Sequence, residues 1–253
     1  MDAKTRFVEV TPENIAEHPQ TICYINPKHE HYHLKVDWLK QRHAEGLKVK
    51  LLYLEGEKKP VGFIEYVPGA DCWRSVSAEG YMFIHCLWTY GKKYQHKGLG
   101  GLLLEEVERD AKGMTGVAAV ASDGPFMANK SLFVKNGYVV AAESGKDQLM
   151  VKQFTDGSPP RFNDWEAELG RYHGWNIIYS RQCPWVARFV EEIGPVIQQH
   201  NLKVRIEELA TPAQAQKAPS LYGVFNLVHD GRLLADRYIS RTRFQNILSK
   251  ELS

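Results

Sequence analysis

A short loop with two glycines has the residue types that can hold a phosphate group. It consists of Gln95, His96, Lys97, Gly98, Leu99 and Gly100. Because Gly98 and Gly100 carry no side chain, a ligand can come close to the backbone, and successive N–H groups can point at an anion. Lysines at 92, 93 and 97 would attract a ligand with several negative charges. The pattern predicts an anion site, although a tight turn without a ligand has the same glycines.

The elements on either side of the loop are a predicted buried strand and a predicted amphipathic helix. The strand, residues 81–90, is a run of aromatic and apolar residues bounded by Gly80 and Gly91. In the helix, apolar residues from Leu102 to Ala111 share one side and charged residues cover the other. The helix dipole would add attraction for an anion. Two common nucleotide-binding signatures, Gly-x-x-x-x-Gly-Lys-Ser/Thr and Gly-x-Gly-x-x-Gly, are absent from this loop.

Composition and length indicate a globular protein without a special electrostatic partner. With 253 residues the chain can form one large domain or two ordinary ones, and its hydrophobic share of 43% is typical of globular proteins. The formal charge of +2 gives no general indication of nucleic acid or of a membrane surface. No apolar run approaches the ~20 residues of a membrane span. We expect a cytoplasmic protein.

The cysteines and a histidine cluster give no strong prediction of a metal site. The four cysteines are Cys23, Cys72, Cys86 and Cys183, and they form no Cys-x-x-Cys pair. We therefore expect reduced thiols and no bound metal. His29, His31 and His33 alternate just before a helical pattern. A solvated helix entry or a lid on the substrate side explains them as well as a metal does, because no carboxylate or cysteine cluster accompanies them.

The rest of the N-terminal half predicts further strands and two helix starts. Thr11 and Pro12 have the pattern of a helix N-cap, and Asn129 has the pattern of a second one. The predicted strands, besides the one before the loop, are residues 6–10, 49–54, 61–67, 116–121, 139–142 and 148–152.

A turn-rich segment, residues 155–160, predicts a boundary between two domains. A second fold is expected to begin at Trp175, because a strand, a helix over 186–200 and another strand form a βαβ unit there. A short helix, a hairpin around Asp230 and a final helix follow, which is similar to the thioredoxin fold. In that fold Pro219 would stand at the position of a cis-proline.

The loop and its surroundings resemble the acetyl-CoA site of the GNAT acetyltransferases. Residues 90–100 resemble the family's pyrophosphate loop, and residues 129–138 resemble its next motif, a short helix that ends before Gly137. The resemblance covers roughly residues 6–154. It implies an α/β (α+β) fold with a central mixed sheet, acetyl-CoA as co-substrate and transfer of an acetyl group to a primary amine in a ternary complex.

The resemblance also implies which residues would contact the coenzyme. Trp88 and Tyr90 would supply backbone contacts to the pantetheine arm, and the six loop residues from Gln95 to Gly100 would bind the diphosphate. The second motif would add contacts from Asn129, Phe133 and Lys135. The acceptor would be a small-molecule amine or a peptide amine. Neither a nucleic acid nor a membrane is expected as a partner, and the resemblance leaves open whether the protein forms a homodimer.

The sequence indicates the catalytic groups less specifically than it indicates the residues that would contact the coenzyme. His85 lies on the central strand near the position of the family's catalytic carboxylate, and its ordinary pKa suits proton removal near neutral pH. Glu65 and Glu79 are alternative bases that could act through water. Phe133 stands where the family often has a proton-donating tyrosine, so Tyr138 or water would have to supply that proton. Each of these residues could instead be structural.

A GNAT domain followed by a thioredoxin-like domain that contains Gln182-Cys183-Pro184 resembles the YoaP-like acetyltransferases over nearly the whole chain. The predicted domains are thus 1–154, a linker and docking helix over 155–174, and 175–253. Val186 stands where a partner cysteine would be needed for two-thiol exchange. Two other functions remain open at this point: a CoA-binding sensor without turnover, and a thiol oxidoreductase centred on Cys183.

Overall fold

The computed structural model describes residues 4–18, 27–124 and 127–252, so the prediction for Cys23 lies outside them. Contacts divide the chain into two compact units. The described parts of the first unit are residues 4–18, 39–72, 77–124 and 127–162, and those of the second are residues 27–38, 73–76 and 163–252. Within these residues, no helix has the length and apolar character needed to cross a membrane.

The first unit is built on a mixed sheet of seven strands in the order β1-β2-β3-β5-β6-β8-β7. The strands are β1 (Thr5–Val10), β2 (Lys48–Leu54), β3 (Gly62–Pro68), β5 (Tyr81–Thr89), β6 (Gly116–Ser122), β7 (Val139–Ser144) and β8 (Asp147–Gln153). Two short strands outside this sheet are β4 (Val76–Ser77) and β9 (Arg161–Phe162). The helices of the N-terminal half of the chain are α1 (Tyr32–His43), whose residues 32–38 belong to the second unit, α2 (Leu99–Asp110) and α3 (Lys130–Lys135). The central mixed sheet is confirmed.

The strands β5 and β6 are parallel, and they pair only along their first residues. Their register runs from Tyr81 opposite Gly116 to Ile84 opposite Ala119. No further pair between them is present in the described residues, although β5 continues to Thr89. Beyond this point each strand keeps its outer neighbour, β3 for β5 and β8 for β6. The facing edges therefore diverge and leave backbone groups available to a ligand.

A bulge in β5 lies where the two strands separate. Glu65 of β3 is opposite Cys86 and Tyr66 is opposite Ile84, so His85 is an extra residue in β5. Ile84 and Leu87 both belong to the core cluster that packs against α2. Because both flanking residues point toward α2, we infer that His85 and Cys86 both point to the other face of the sheet.

Helix α2 packs on the sheet through an apolar stripe. Its buried residues include Leu99, Leu103, Leu104 and Val107, at the spacing of one helix face. On another side of α2, a Cβ atom added to Gly100 would lie 2.8 Å from Cδ1 of Leu132 in α3. We infer that Gly100 allows close packing of α2 against α3, a role that the sequence did not indicate.

A group of charged side chains ties the C-terminal end of α2 to β2 and β3. Lys50 Nζ donates to Glu106 Oε1 at 2.7 Å and to Asp110 Oδ1 at 2.9 Å. Asp110 Oδ2 also accepts from Lys48 Nζ at 2.8 Å and from the Tyr66 hydroxyl at 2.7 Å. Burial alone would raise the pKa of Asp110, but these hydrogen bonds outweigh it and lower the pKa to about 2.

Replacing Asp110 with asparagine should lower the free energy of unfolding at pH 7 by about 2 kcal/mol, because two lysines lose their shared carboxylate. The pKa of Asp110 is lower in the folded chain than the value of about 3.9 in an unfolded chain. The stabilisation is therefore complete above about pH 4 and is lost as the pH falls toward about 2. Urea unfolding at pH 7 and pH 3 should show the difference between wild type and Asp110→Asn shrinking at pH 3. An equal difference at both pH values would contradict this account.

The second unit contains a sheet of four strands in the order β11-β10-β12-β13. Its elements are α4 (Trp165–Leu169), β10 (Trp175–Tyr179), α5 (Pro184–Glu192), α6 (Gly194–Gln199), β11 (Val204–Glu208), α7 (Pro212–Gln216), β12 (Phe225–His229), β13 (Arg232–Ala235) and α8 (Arg241–Glu251). Strands β10 and β11 are parallel, as a right-handed crossover predicts, and the other pairs are antiparallel. Phe189 of α5 contacts Phe225 and Phe244 edge-on in the core.

Three local predictions are wrong. The helix expected over 186–200 is two helices, because Gly194 and Pro195 begin a new one after Ile193. In place of an N-terminal helix after Pro12, the described residues up to 18 contain a single 3-10 turn, Ile15–Glu17. The described residues contain no cis peptide bond, so Pro219 is trans.

Candidate functional site

The open edge of β5 exposes the backbone of two residues that the sequence did not single out. The N–H of Tyr90 donates to the carbonyl of Val61 at 2.7 Å. Residues of an antiparallel pair alternate between bonded and non-bonded positions, so the backbone of Trp88, opposite Phe63, also faces β3. The N–H and C=O groups of Leu87 and Thr89 therefore face the open edge, whereas the backbone of Trp88 and Tyr90, the residues predicted to contact the coenzyme, faces β3.

The side chains of Trp88 and Tyr90 are partly exposed on the face of the sheet away from α2. The ring of Tyr90 stacks on Phe63 with 5.9 Å between the centroids. Phe63 is almost completely buried, so this stack fixes the position of Tyr90. These aromatic rings line the sheet beside the loop.

The predicted anion loop has the backbone geometry of an anion-binding turn. Gly98 is the N-cap of α2 in the left-handed conformation, with φ +77°, and His96 has φ 60°. In the part of the chain that the structure describes, the N–H groups of residues 96–100 have no backbone acceptor. A Cβ atom on Gly98 would have nothing within 4 Å, so the space beside Gly98 is open. N–H groups at the start of a helix that have no backbone acceptor are the kind of groups that bind phosphate in proteins.

The lysines around the loop have different partners. Lys93 Nζ lies 3.0 Å from Glu57 Oε1 and 4.5 Å from the centre of the Tyr94 ring. Hydrogen bonds to Tyr94 and Glu57 raise the pKa of Lys93, which keeps its charge. Lys92, Gln95 and Lys97 are exposed or partly exposed beside the loop. Lys97 immediately precedes Gly98 in the chain.

Glu65 and His85 form a buried pair at the bulge of β5. His85 Nδ1 lies 3.4 Å from Glu65 Oε1, and their side chains are 0% and 2% exposed. The ring of Phe83 meets His85 edge-on, with 6.0 Å between the centroids. A carboxylate beside an imidazole nitrogen can hold one tautomer and stabilise the charged ring. Glu79, the other carboxylate considered as a base, is exposed.

The residues of the second motif have mainly structural contacts. Asn129 caps α3, as predicted: its Oδ1 accepts from the N–H of Ser131 at 2.7 Å. The ring of Phe133 is buried in the core, where it meets Tyr138 at 5.4 Å. Lys135 is exposed at the end of α3.

Tyr138 lies on the opposite face of the sheet from His85. It belongs to the core cluster with the buried residues of α2. Burial, followed by the charge of Glu108, raises the pKa of Tyr138 well above its usual range, so the phenol keeps its proton. The structure brings Glu65 and His85 together and places Tyr138 apart from them.

The second unit places Cys183 at the N-cap of α5, half-buried, with Pro184 as the first helical residue. Beside it, Gln182 Oε1 accepts from Arg74 Nη1 at 2.5 Å, and Arg74 stacks 4.3 Å from the centre of the Tyr222 ring.

Of the three clustered histidines, His31 is buried and its Nε2 lies 2.5 Å from Glu191 Oε2. Among the described residues, no group of three or more metal-ligating side chains could hold a metal ion.

Comparisons with known proteins found the following similarities. The chain is 28% identical over 251 residues to the uncharacterised N-acetyltransferase YoaP of Bacillus subtilis (strain 168), covering 96% of this chain and 98% of that protein. Among solved structures, it is similar to an acetyltransferase of Thermus thermophilus, with 17% identity, a TM-score of 0.44 and coverage of 60% and 97%. It is also similar to yncA, a putative acetyltransferase of Salmonella typhimurium solved with acetyl-CoA, with 17% identity, a TM-score of 0.44 and coverage of 62% and 98%.

Residues 13–138 match the model of the acetyltransferase (GNAT) family. The match includes β5, the glycine loop, α2 and α3, and it ends at Tyr138. Through this region, which is just under half of the chain, the protein is similar to the acetyltransferase (GNAT) family.

Proposed function

We propose that this protein transfers an acetyl group from acetyl-CoA to a primary amine by direct attack in a ternary complex. The observation that carries this proposal is the separation of β5 from β6 after Ile84, directly before the glycine loop. An extended, amide-containing arm can bind along such an edge, while its diphosphate lies at the start of α2. The acceptor is a small-molecule amine or an amine of a peptide.

The coenzyme would be held mainly by backbone groups. Leu87 and Thr89 would offer N–H and C=O groups to the pantetheine arm, and the N–H groups of residues 96–100 would bind the diphosphate. Lys97 would add charge. An N–H group fixed at the open edge of β5 can also stabilise the negative charge that forms on the thioester oxygen.

His85 would act as the general base, and the Glu65 carboxylate would lie beside its Nδ1 atom. The Glu65 carboxylate, 3.4 Å from the imidazole, can stabilise the charged ring, and the imidazole can take the proton of the attacking amine, directly or through one water. The CoA thiolate can then recover a proton from His85 or from solvent. Tyr138 has no part in this scheme because it lies on the other face of the sheet.

Incubation with acetyl-CoA and a panel of primary amines tests this function, with free CoA thiol and acetylated amine as the two readouts. The panel should contain aliphatic and aromatic small amines and peptides with a free N-terminus or lysine. We expect both products to appear together with at least one acceptor. Binding of acetyl-CoA without turnover across the whole panel would favour a CoA-binding sensor instead.

For the second unit we propose a thioredoxin-like domain within the boundaries 175–253, after the 1–154 acetyltransferase domain and the linker 155–174. Its strand order and the parallel pair β10–β11 support this proposal. Cys183 is its reduced thiol at a helix start. Disulfide reduction by wild type that disappears in Cys183→Ser would favour the oxidoreductase function.

A further inference from the structure

Cys86 lies beside the proposed base and on the stretch of β5 that has separated from β6. It follows His85 in the chain and is opposite Glu65 in the β3–β5 ladder. The cysteine is reduced and partly exposed, whereas His85 and Glu65 have side chains that are 0% and 2% exposed. A nucleophile is therefore next to a buried imidazole–carboxylate pair.

The bulge places the three side chains on one face. Ile84 and Leu87 point into the core beneath α2, so both residues between them point the other way. Residues directly opposite in an antiparallel pair share a face, which puts Cys86 on the face of Glu65. The contact of 3.4 Å between His85 and Glu65 places the imidazole on that face too.

This arrangement contains the three groups that covalent acyl transfer uses: a thiol, an imidazole and a carboxylate. A cysteine is activated when a neighbouring histidine takes its proton, and a third group that orients the histidine completes the set. A nearby imidazolium lowers the pKa of a thiol and so increases the share of thiolate. The imidazole of His85, which would accept a proton from the amine, could accept the proton of the Cys86 thiol in the same way.

We propose that Cys86 is a second acyl acceptor at this site, which takes the acetyl group when no amine is bound. The sulfur of Cys86 attacks the carbonyl carbon of acetyl-CoA, a new C–S bond forms, and the C–S bond to the coenzyme breaks. The thiol proton passes to His85 and then to the CoA thiolate, which leaves S-acetyl-Cys86 and free CoA. One thioester replaces another, so the step needs no oxidant. This inference rests on the proposed acetyl transfer.

The full chain, incubated with acetyl-CoA and no amine, tests the inference. We expect release of CoA up to about one equivalent per chain, as in the burst of an acyl-enzyme. Intact mass should increase by one acetyl group, which peptide mapping should place on the peptide with Cys86, and neutral hydroxylamine should remove it. Cys86→Ala should lose the adduct, and Cys183→Ser should keep it. His85→Gln should slow its formation by about 100-fold.

The outcomes separate this inference from the proposed function. A wild type that binds acetyl-CoA and acetylates an amine, but gains no hydroxylamine-sensitive group on Cys86, overturns the inference and leaves the function standing. An adduct that persists in Cys86→Ala also overturns it. A wild type that does not bind acetyl-CoA overturns both. Binding of CoA to Cys86→Ala, measured by calorimetry, shows that loss of the adduct is not loss of the fold.

Discussion

Replacing Gly98 with glutamate should weaken the binding of acetyl-CoA by at least about 100-fold, or about 2.7 kcal/mol. The added side chain would enter the open space beside Gly98, within the loop whose N–H groups have no backbone acceptor. It would displace the diphosphate and add a like charge beside it. Calorimetric titration with CoA and with acetyl-CoA measures the loss directly.

Gly113→Glu is the matched control for this variant. Gly113 has φ +88° and, like Gly98, would have nothing within 4 Å of an added Cβ atom, but it lies beyond the C-terminal end of α2. Both variants force a side chain onto a left-handed residue, at a similar cost of about 1–2 kcal/mol. Only Gly98→Glu should lose the coenzyme. Equal affinities in the two variants would show that the loop is not the diphosphate site.

His85→Gln should lower kcat for amine acetylation by about 10²- to 10⁴-fold, because the amine loses its proton acceptor. The affinity for acetyl-CoA should change little, since the backbone groups and the loop that would hold it are elsewhere. Glu65→Gln should have a smaller effect on kcat, because the imidazole stays but loses the carboxylate 3.4 Å away. Steady-state kinetics with a responsive amine, together with a CoA titration, measure both effects.

Glu79→Gln is the control for the choice of base. Glu79 is exposed, so its replacement should leave kcat within about twofold of wild type and the melting temperature nearly unchanged. Because His85 is buried, its variant also needs a melting curve and a CoA titration. A folded, CoA-binding His85→Gln with wild-type kcat would rule out the histidine, and a large loss in Glu79→Gln would point to that carboxylate instead.

The sequence predicted the order of elements around the glycine loop because each signal was local. Apolar runs bounded by turn residues predicted β5 and β6, and the helical stripe after Gly98 predicted α2. The cap at Asn129 followed from its residue type and position. Such patterns arise from the period of one strand or helix and need no knowledge of its neighbours.

Contacts between distant segments could not be predicted in this way. Strand alternation predicts that His85 and Cys86 point to opposite faces, and only the register against Glu65 reveals the bulge that places them together. The hydrogen bond from Tyr90 to Val61, which turns the backbone of Leu87 and Thr89 to the open edge, also depends on the pairing of β3 with β5.

By itself, therefore, the sequence determined where the glycine loop lies, which strand precedes it and which helix follows. The tertiary structure decided which groups meet there: the buried Glu65–His85 pair, the thiol of Cys86 beside it, and the assignment of residues 73–76 to the second unit. The physical reason is that turn and helix preferences are properties of neighbouring residues. Strand register and burial, in contrast, are set by the free energy of packing segments that are far apart in the chain.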